Sequence, residues 1–190
     1  MSCVSLMTGF AMSLDRCWSI CRVALIWAAL IGNSWTVLAQ ALPGEHSVRA
    51  AMVFNVLQFS ELPREVLGKS QTIELCLAVV DERQAEAMSA LSGRKVAGRE
   101  VNVMPLHANS SDCHVLYVDT PQRWNALRTR HTLRRVLTIS AYPGFARDGG
   151  MMEIAVQADG VRFDINLAEG RSAGIRFSPQ MLRLARQTYD

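Results

Sequence analysis

Lysine is almost missing from this chain, where Lys69 and Lys95 are the only two among 190 residues. The positive charge is carried by arginine, and the formal balance is only +3. A balance this near neutral argues against general nucleic-acid binding, which needs a dense basic stripe. Few lysines also leave Asp81 and Asp119 without the extra carboxylates and partner lysine of a phosphoacceptor site; capping or turn duty is their expected role. Other absences narrow the chemistry further. There is no Cys-X-X-Cys pair, which disfavours thioredoxin-like exchange. There is no G-X-S-X-G elbow, G-X-G-X-X-G turn, Walker loop or H-E-X-X-H pair. The four histidines, His46, His107, His114 and His131, are scattered, and only His114 has a possible ligand beside it, Cys113. Zinc needs three or four converging ligands. No residue is assigned a catalytic or metal-binding role, and no cofactor is implied.

What is present begins with an export signal. Arg16 and Arg22 precede an apolar run from Val23 to Ala39, followed by Ala39-Gln40-Ala41. A charged lead, a hydrophobic stretch and an A-X-A site read as a secretory signal peptide over residues 1–41. Cleavage is expected after Ala41, with Ala39 as the alternative site and Met12 as an alternative start. The competing reading is an uncleaved anchor, but the run contains Asn33 and Ser34 and is short for a span. Losing Arg16, Arg22 and Asp15 takes the charge from +3 to +2. Residues 42–190 are then one domain of ordinary size. Cys3, Cys17 and Cys21 leave with the signal, so Cys76 and Cys113 remain. An even count in an exported chain suggests a disulfide, with two buried thiols as the alternative.

Apolar periodicity gives the elements. "HSVRAAMVFNVLQFSEL" spaces Val48, Met52, Val56 and Phe59 at helical intervals, with Ser47 as cap. "TIELCLAVVD" and "CHVLYVD" are nearly continuous apolar runs, the mark of strands buried on both faces. "RQAEAMSALSG" and "RWNALRTRH" read as helices, "REVNVMPL" and "RRVLTISAY" as strands. The alternation predicts a single α/β domain with a mixed, mostly parallel sheet flanked by helices. "SAYPGFARDGG" reads as a mobile turn, with Phe145 as a possible presented apolar anchor. A C-terminal β-hairpin and a final helix follow. In the hairpin "GGMMEIAVQADGVRFDIN", Asp159-Gly160 suits a type I′ turn, which needs positive φ at both central positions. That register sets Val156 against Phe163 and Ile154 against Ile165, and turns Glu153, Arg162, Asp164 and Asn166 away from the core. Asn166 should cap a short turn with Glu169 closing a capping box. Ser178 should cap the last helix, with Pro179 first in it and Met181, Leu182 and Ala185 on its buried side. Arg171, Arg176, Arg183 and Arg186 remain, suited to carboxylate or phosphate pairing and to protein interfaces.

"VLTISAYPGFARDGGMMEIAVQADGVRFDINLAEGRSAGIRFSPQMLRLA" resembles the periplasmic YfiR family along its length. "AAMVFNVLQFSELP", "LCLAVV", "LSGRKVAGREVNV" and "CHVLYV" extend the similarity over residues 47–186. The resemblance implies a periplasmic repressor, not an enzyme. It would bind the periplasmic sensor region of a YfiN-like inner-membrane diguanylate cyclase, inhibit cyclic di-GMP synthesis and so control biofilm formation. A YfiB-like outer-membrane lipoprotein could sequester it, and a homodimer is expected. The resemblance also implies that Cys76 and Cys113 form a disulfide. The second cysteine pair that some relatives carry near the hairpin is missing here, which puts redox sensing through it in doubt. Partner binding is implied for the C-terminal region, on Arg162, Asp164, Arg171, Arg176 and Pro179, with Leu182 as an apolar anchor. The alternative expectation is a periplasmic small-molecule sensor using the same arginine-rich surface.

Overall fold

The two apolar runs of the sequence become adjacent strands at the centre of an eight-stranded sheet. A computed structural model describes residues 44–107, 113–129 and 133–190. The expected signal peptide and His131 lie outside the described residues.

Helix α1 (Glu45–Gln58) leads into a short strand β1 (Ser60–Glu61) and a single turn α2 (Arg64–Leu67). Then follow β2 (Thr72–Ala78), α3 (Glu82–Ser89), β3 (Lys95–Val96), β4 (Arg99–Pro105), β5 (Val115–Val118), α4 (Pro121–Leu127) and β6 (Leu137–Ser140). The chain closes with β7 (Met152–Gln157), β8 (Gly160–Asn166), α5 (Leu167–Ala173), β9 (Arg176–Phe177), α6 (Pro179–Leu184) and β10 (Gln187–Tyr189). The sheet order is β10-β8-β7-β6-β5-β2-β4-β3, while β1 and β9 pair separately. Only β3–β4 and β7–β8 are antiparallel within the large sheet; its other five pairings are parallel.

Alternation along the central strands builds two cores. Leu75, Leu77, Val115, Tyr117, Leu137 and Ile139 face one side, where they meet α1, α3 and the C-terminal elements. Cys76, Ala78, Leu116 and Val118 face the other, against Trp124 and Leu127 of α4 and against Tyr142 and Phe145. The disulfide Cys76–Cys113 lies in this second core, with a Cα–Cα distance of 5.8 Å, within the reach such a bridge requires.

Several expectations are corrected. Helix α1 begins at Glu45 with Gly44 as its N-cap and no side-chain cap, so Ser47 lies inside it. Its buried stripe is Ala50, Val53, Phe54, Val56 and Leu57, and Phe59 is exposed. Ala and Met positions flank the true stripe closely enough to mimic a neighbouring face. The hairpin pairs Ile154 with Phe163 and Gln157 with Gly160, a shift of two residues from expectation. A two-residue shift keeps every side chain on its face, because the strand period is two. Ala158 and Asp159 form the loop, and Gly160 alone takes positive φ, at 134°. The positive-φ pair that a type I′ turn needs occurs instead between β3 and β4, at Ala97 (48°) and Gly98 (81°). Phe145 is fully buried, edge-on to Trp124 and Tyr142 with ring centroids 4.9 and 5.2 Å away. Its ring also occupies the space where a Cβ on Gly150 would lie, at 2.2 Å, so this turn admits only glycine there.

Candidate functional site

The parallel order changes direction at β2, since β4 lies on one side of it and β5 on the other. Crevices of α/β sheets form at such points, beyond the carboxyl ends of the strands. Here Asp119 closes the gap: its carboxylate accepts hydrogen bonds from the backbone N–H groups of Val80 and Asp81. Asp81 in turn caps α3, accepting from Arg83 and Gln84. Both aspartates have the structural duty expected from their positions. Beneath them Tyr117 is fully buried, and its hydroxyl has no hydrogen-bond partner among the described residues. Burial pushes the phenol well above its usual pKa, opposed by Arg49 and reinforced by Asp119, Asp81 and Glu45.

A testable consequence is that Tyr117→Phe is neutral or stabilises the fold by up to about 1 kcal/mol, because an unpaired buried hydroxyl is removed. The pH effect has a definite sign. Above the ordinary phenol value of about 10, the unfolded chain loses a proton that the folded chain retains, so wild-type stability falls as pH rises. Denaturant titrations at neutral and strongly alkaline pH check both points, and Tyr117→Phe should lose less stability than wild type over that interval.

The opposite end of the sequence carries the surface of interest. Arg162 is exposed on β8 and pairs with Asp159 at 3.1 Å across the hairpin tip. Asp164 faces away from the main core but is only 2% exposed. Arg186 covers it, donating from Nε and Nη2 to the two carboxylate oxygens at 2.8 and 2.6 Å. These hydrogen bonds hold the Arg186 pKa above its usual value, against the opposing effect of burial. Glu153, also buried, lies 3.7 Å from the same guanidinium and accepts from the Gly144 and Ala146 N–H groups. Asp164 therefore presents no free carboxylate; what reaches solvent there is Arg186. Arg186 is one of the arginines the sequence marks as suited to carboxylate pairing, but its pairing with Asp164 and the strand β10 that follows it were missed there. The only signal was the short, polar "RQTY", too brief to register as a strand.

Arg171 pairs with Asp190 at 2.8 Å and Arg176 with Glu61 at 2.7 Å, all four exposed. The β1–β9 pairing sets Glu61 opposite Arg176. Both arginines line one open groove of about 1040 Å³. Exposed pairs of this kind contribute about 0–1 kcal/mol, so a partner's carboxylate can displace either acid. Asn166 caps α5 by accepting from the Glu169 N–H at 3.0 Å. The capping box is not closed, because the Asn166 N–H donates to the Met151 carbonyl. Ser178 caps α6 and Pro179 opens it, as expected. Met181 is buried, Leu182 and Ala185 are half-buried against the main core, and Leu184 is 66% exposed. Among the described residues no group of three or more His, Cys, Asp or Glu could hold a metal ion. His114 accepts the Glu74 N–H at Nδ1 and so works as a strand-bracing residue.

A family model described as YfiR/HmsC-like matches residues 46–186. No curated protein matches the chain. Among solved structures, a conserved domain protein from Vibrio cholerae is similar at 11% identity and TM-score 0.44, covering 76% of this chain and 60% of that one. The ABC domain in complex with L-Trp from Streptococcus pneumonia is similar at 13% identity and TM-score 0.47, covering 70% and 62%. The chain thus spans about three fifths of the length of these two structures.

Proposed function

This chain belongs to the YfiR/HmsC-like family, and on that premise we propose that it is a periplasmic negative regulator of a membrane diguanylate cyclase. It binds the periplasmic sensor region of a YfiN-like cyclase, holds the enzyme in its inactive state and limits cyclic di-GMP and biofilm formation. A YfiB-like lipoprotein of the outer membrane relieves the inhibition by sequestering it, and the regulator works as a homodimer. The observation that carries this reading is the family match over nearly the whole domain, residues 46–186. Export through a signal peptide at residues 1–41 agrees with the Cys76–Cys113 disulfide, since such bridges persist in oxidising compartments. No helix among the described residues is long and apolar enough to cross a membrane.

The mechanism is a population shift. A docking protein inhibits a two-state enzyme by binding the inactive state more tightly. Moving that equilibrium from 1:99 to 99:1 requires about 5.5 kcal/mol of preference, within the range of a single protein interface. Arg162, Arg171, Arg176 and Pro179 supply the exposed contacts of the docking surface, and Leu182 supports it from below. Asp164 acts through Arg186, which it orients. Arg162→Glu reverses one exposed charge without touching the core. It should weaken binding to the purified cyclase sensor region by about tenfold or more, as read by surface plasmon resonance. Wild-type affinity in this variant would remove Arg162 from the surface.

A second reading is a periplasmic small-molecule sensor that binds a carboxylate or aromatic ligand on the same arginine-rich C-terminal surface. A thermal-shift screen tests it: a ligand at about 100 times its Kd adds about 2.7 kcal/mol of stability. A broad screen with no shift would sink that alternative and leave the first untouched.

A further inference from the structure

The groove that holds Arg171 and Arg176 contains more charge than those two residues bring. Arg64 of α2, Arg99 at the start of β4 and Arg135 just ahead of β6 also line it. It therefore lies at the amino ends of β2, β4 and β6, away from the crevice at Asp119. Only Glu61 and Glu65 line it with negative charge. Five guanidinium groups face these two carboxylates and the Asp190 carboxylate paired with Arg171, a local excess of two.

The pairing within the groove is uneven. Glu61 is engaged by Arg176, and Arg171 is engaged by Asp190. Arg64 and Arg135 are exposed and make no ion pair among the described residues. Arg99 donates from Nε to the Ser70 carbonyl at 3.0 Å and likewise has no acidic partner among them. Gathering unneutralised like charge opposes folding by self-repulsion, and it creates a field that draws oppositely charged partners inward. Leu57, Ile73 and Val96, all buried, form the groove's apolar floor.

We propose that this groove receives an acidic segment of a protein partner, several Asp or Glu residues on a protruding strand or helix. The inference rests on the docking reading above and deepens it by naming the chemistry of the partner's surface. Concavity separates this occupant from a membrane, whose flat anionic surface cannot follow the groove. Breadth separates it from a free small anion. The guanidinium groups come from α2, β4, the approach to β6, α5 and β9, so one small carboxylate would leave most of them unpaired. Each guanidinium fork matches one carboxylate in bidentate geometry, and a peptide supplies carboxylates in series above the apolar floor.

The test uses the protein purified from the periplasm and a short labelled peptide of alternating Glu and Gly. Wild type should bind the peptide, with affinity that falls as salt rises. Arg64→Gln/Arg135→Gln should bind about tenfold more weakly, a change of about 1.4 kcal/mol, with a flatter salt dependence. Both residues are exposed and outside the ion pairs, and removing them relieves like-charge repulsion, so the thermal midpoint should not fall. The control Arg83→Gln/Arg147→Gln removes the same charge from exposed sites outside the groove and should bind as wild type does. No peptide binding, or an equal loss in the control, would overturn the proposal. So would capture by phosphatidylglycerol vesicles, dependent on Arg64 and Arg135, that exceeds peptide binding. The two readings also fail separately. Peptide binding that needs Arg64 and Arg135, with no binding to the cyclase sensor region, sinks the regulator and keeps the groove. Cyclase binding unchanged in Arg64→Gln/Arg135→Gln keeps the regulator and sinks the groove.

Discussion

Replacing Cys76 and Cys113 together by alanine lowers the thermal midpoint by roughly 10 °C. The bridge closes a loop with a sequence separation of 37. In the chain-entropy model, a loop of that length stabilises the fold by roughly 3–4 kcal/mol, through the freedom it removes from the unfolded chain. A domain of this size shifts by about 2–4 °C per kcal/mol. Both sulfurs also fill the second core beside Leu116 and Trp124, so truncation leaves unfilled volume as well as a longer free loop. Calorimetry of the double variant, beside wild type with and without reductant, checks the size of the effect. An unchanged midpoint would mean that the β2–β5 seam is held by strand pairing and packing alone.

The second large effect is expected at Arg186. Arg186→Ala leaves Asp164 and Glu153 buried with no cation beside them. Breaking a fully buried pair costs about 3–5 kcal/mol. The Arg186 side chain is 39% exposed, so water offsets part of the loss, and about 2–3 kcal/mol is expected here. A double-mutant cycle isolates the interaction. Arg186→Ala/Asp164→Asn should be less destabilised than the sum of the two single changes, because neutral Asn no longer needs the guanidinium. The loss should be local as well as global. The Arg186 backbone N–H donates to Phe163, and Gln187, Thr188 and Tyr189 pair with Asp164, Ile165 and Asn166. Amide exchange should therefore quicken at β10 first. Strict additivity, with β10 still protected, would contradict this account.

The fold was largely legible because its strongest signals are local. Continuous apolar runs gave the two central strands, and the caps Asp81, Asn166 and Ser178 stand where short oxygen-bearing side chains precede helices. The hairpin was legible by face and not by register. Period-two alternation fixes which residues turn inward, but a shift of two leaves that pattern intact, and the turn used Gly160 differently from an Asp-Gly I′ turn. Burial of Asp164 was beyond the sequence for a different reason. A carboxylate on the outer face of a hairpin reads as solvated unless its cover is known, and here the cover comes from Arg186, 22 residues further along. The arginine groove was half legible. Arg171 and Arg176 stand out around a glycine turn, whereas Arg64, Arg99 and Arg135 join them only through long-range packing.

The central claim is inhibition by docking, and cyclase turnover tests it most directly. A full-length YfiN-like cyclase is reconstituted in proteoliposomes with its sensor region outward. Cyclic di-GMP formation is then followed as this protein is added to the outside. The account predicts saturable inhibition, lost in parallel with binding in Arg162→Glu and restored by a YfiB-like lipoprotein. Turnover that stays constant at saturating protein, with the sensor region shown to be accessible, would contradict it.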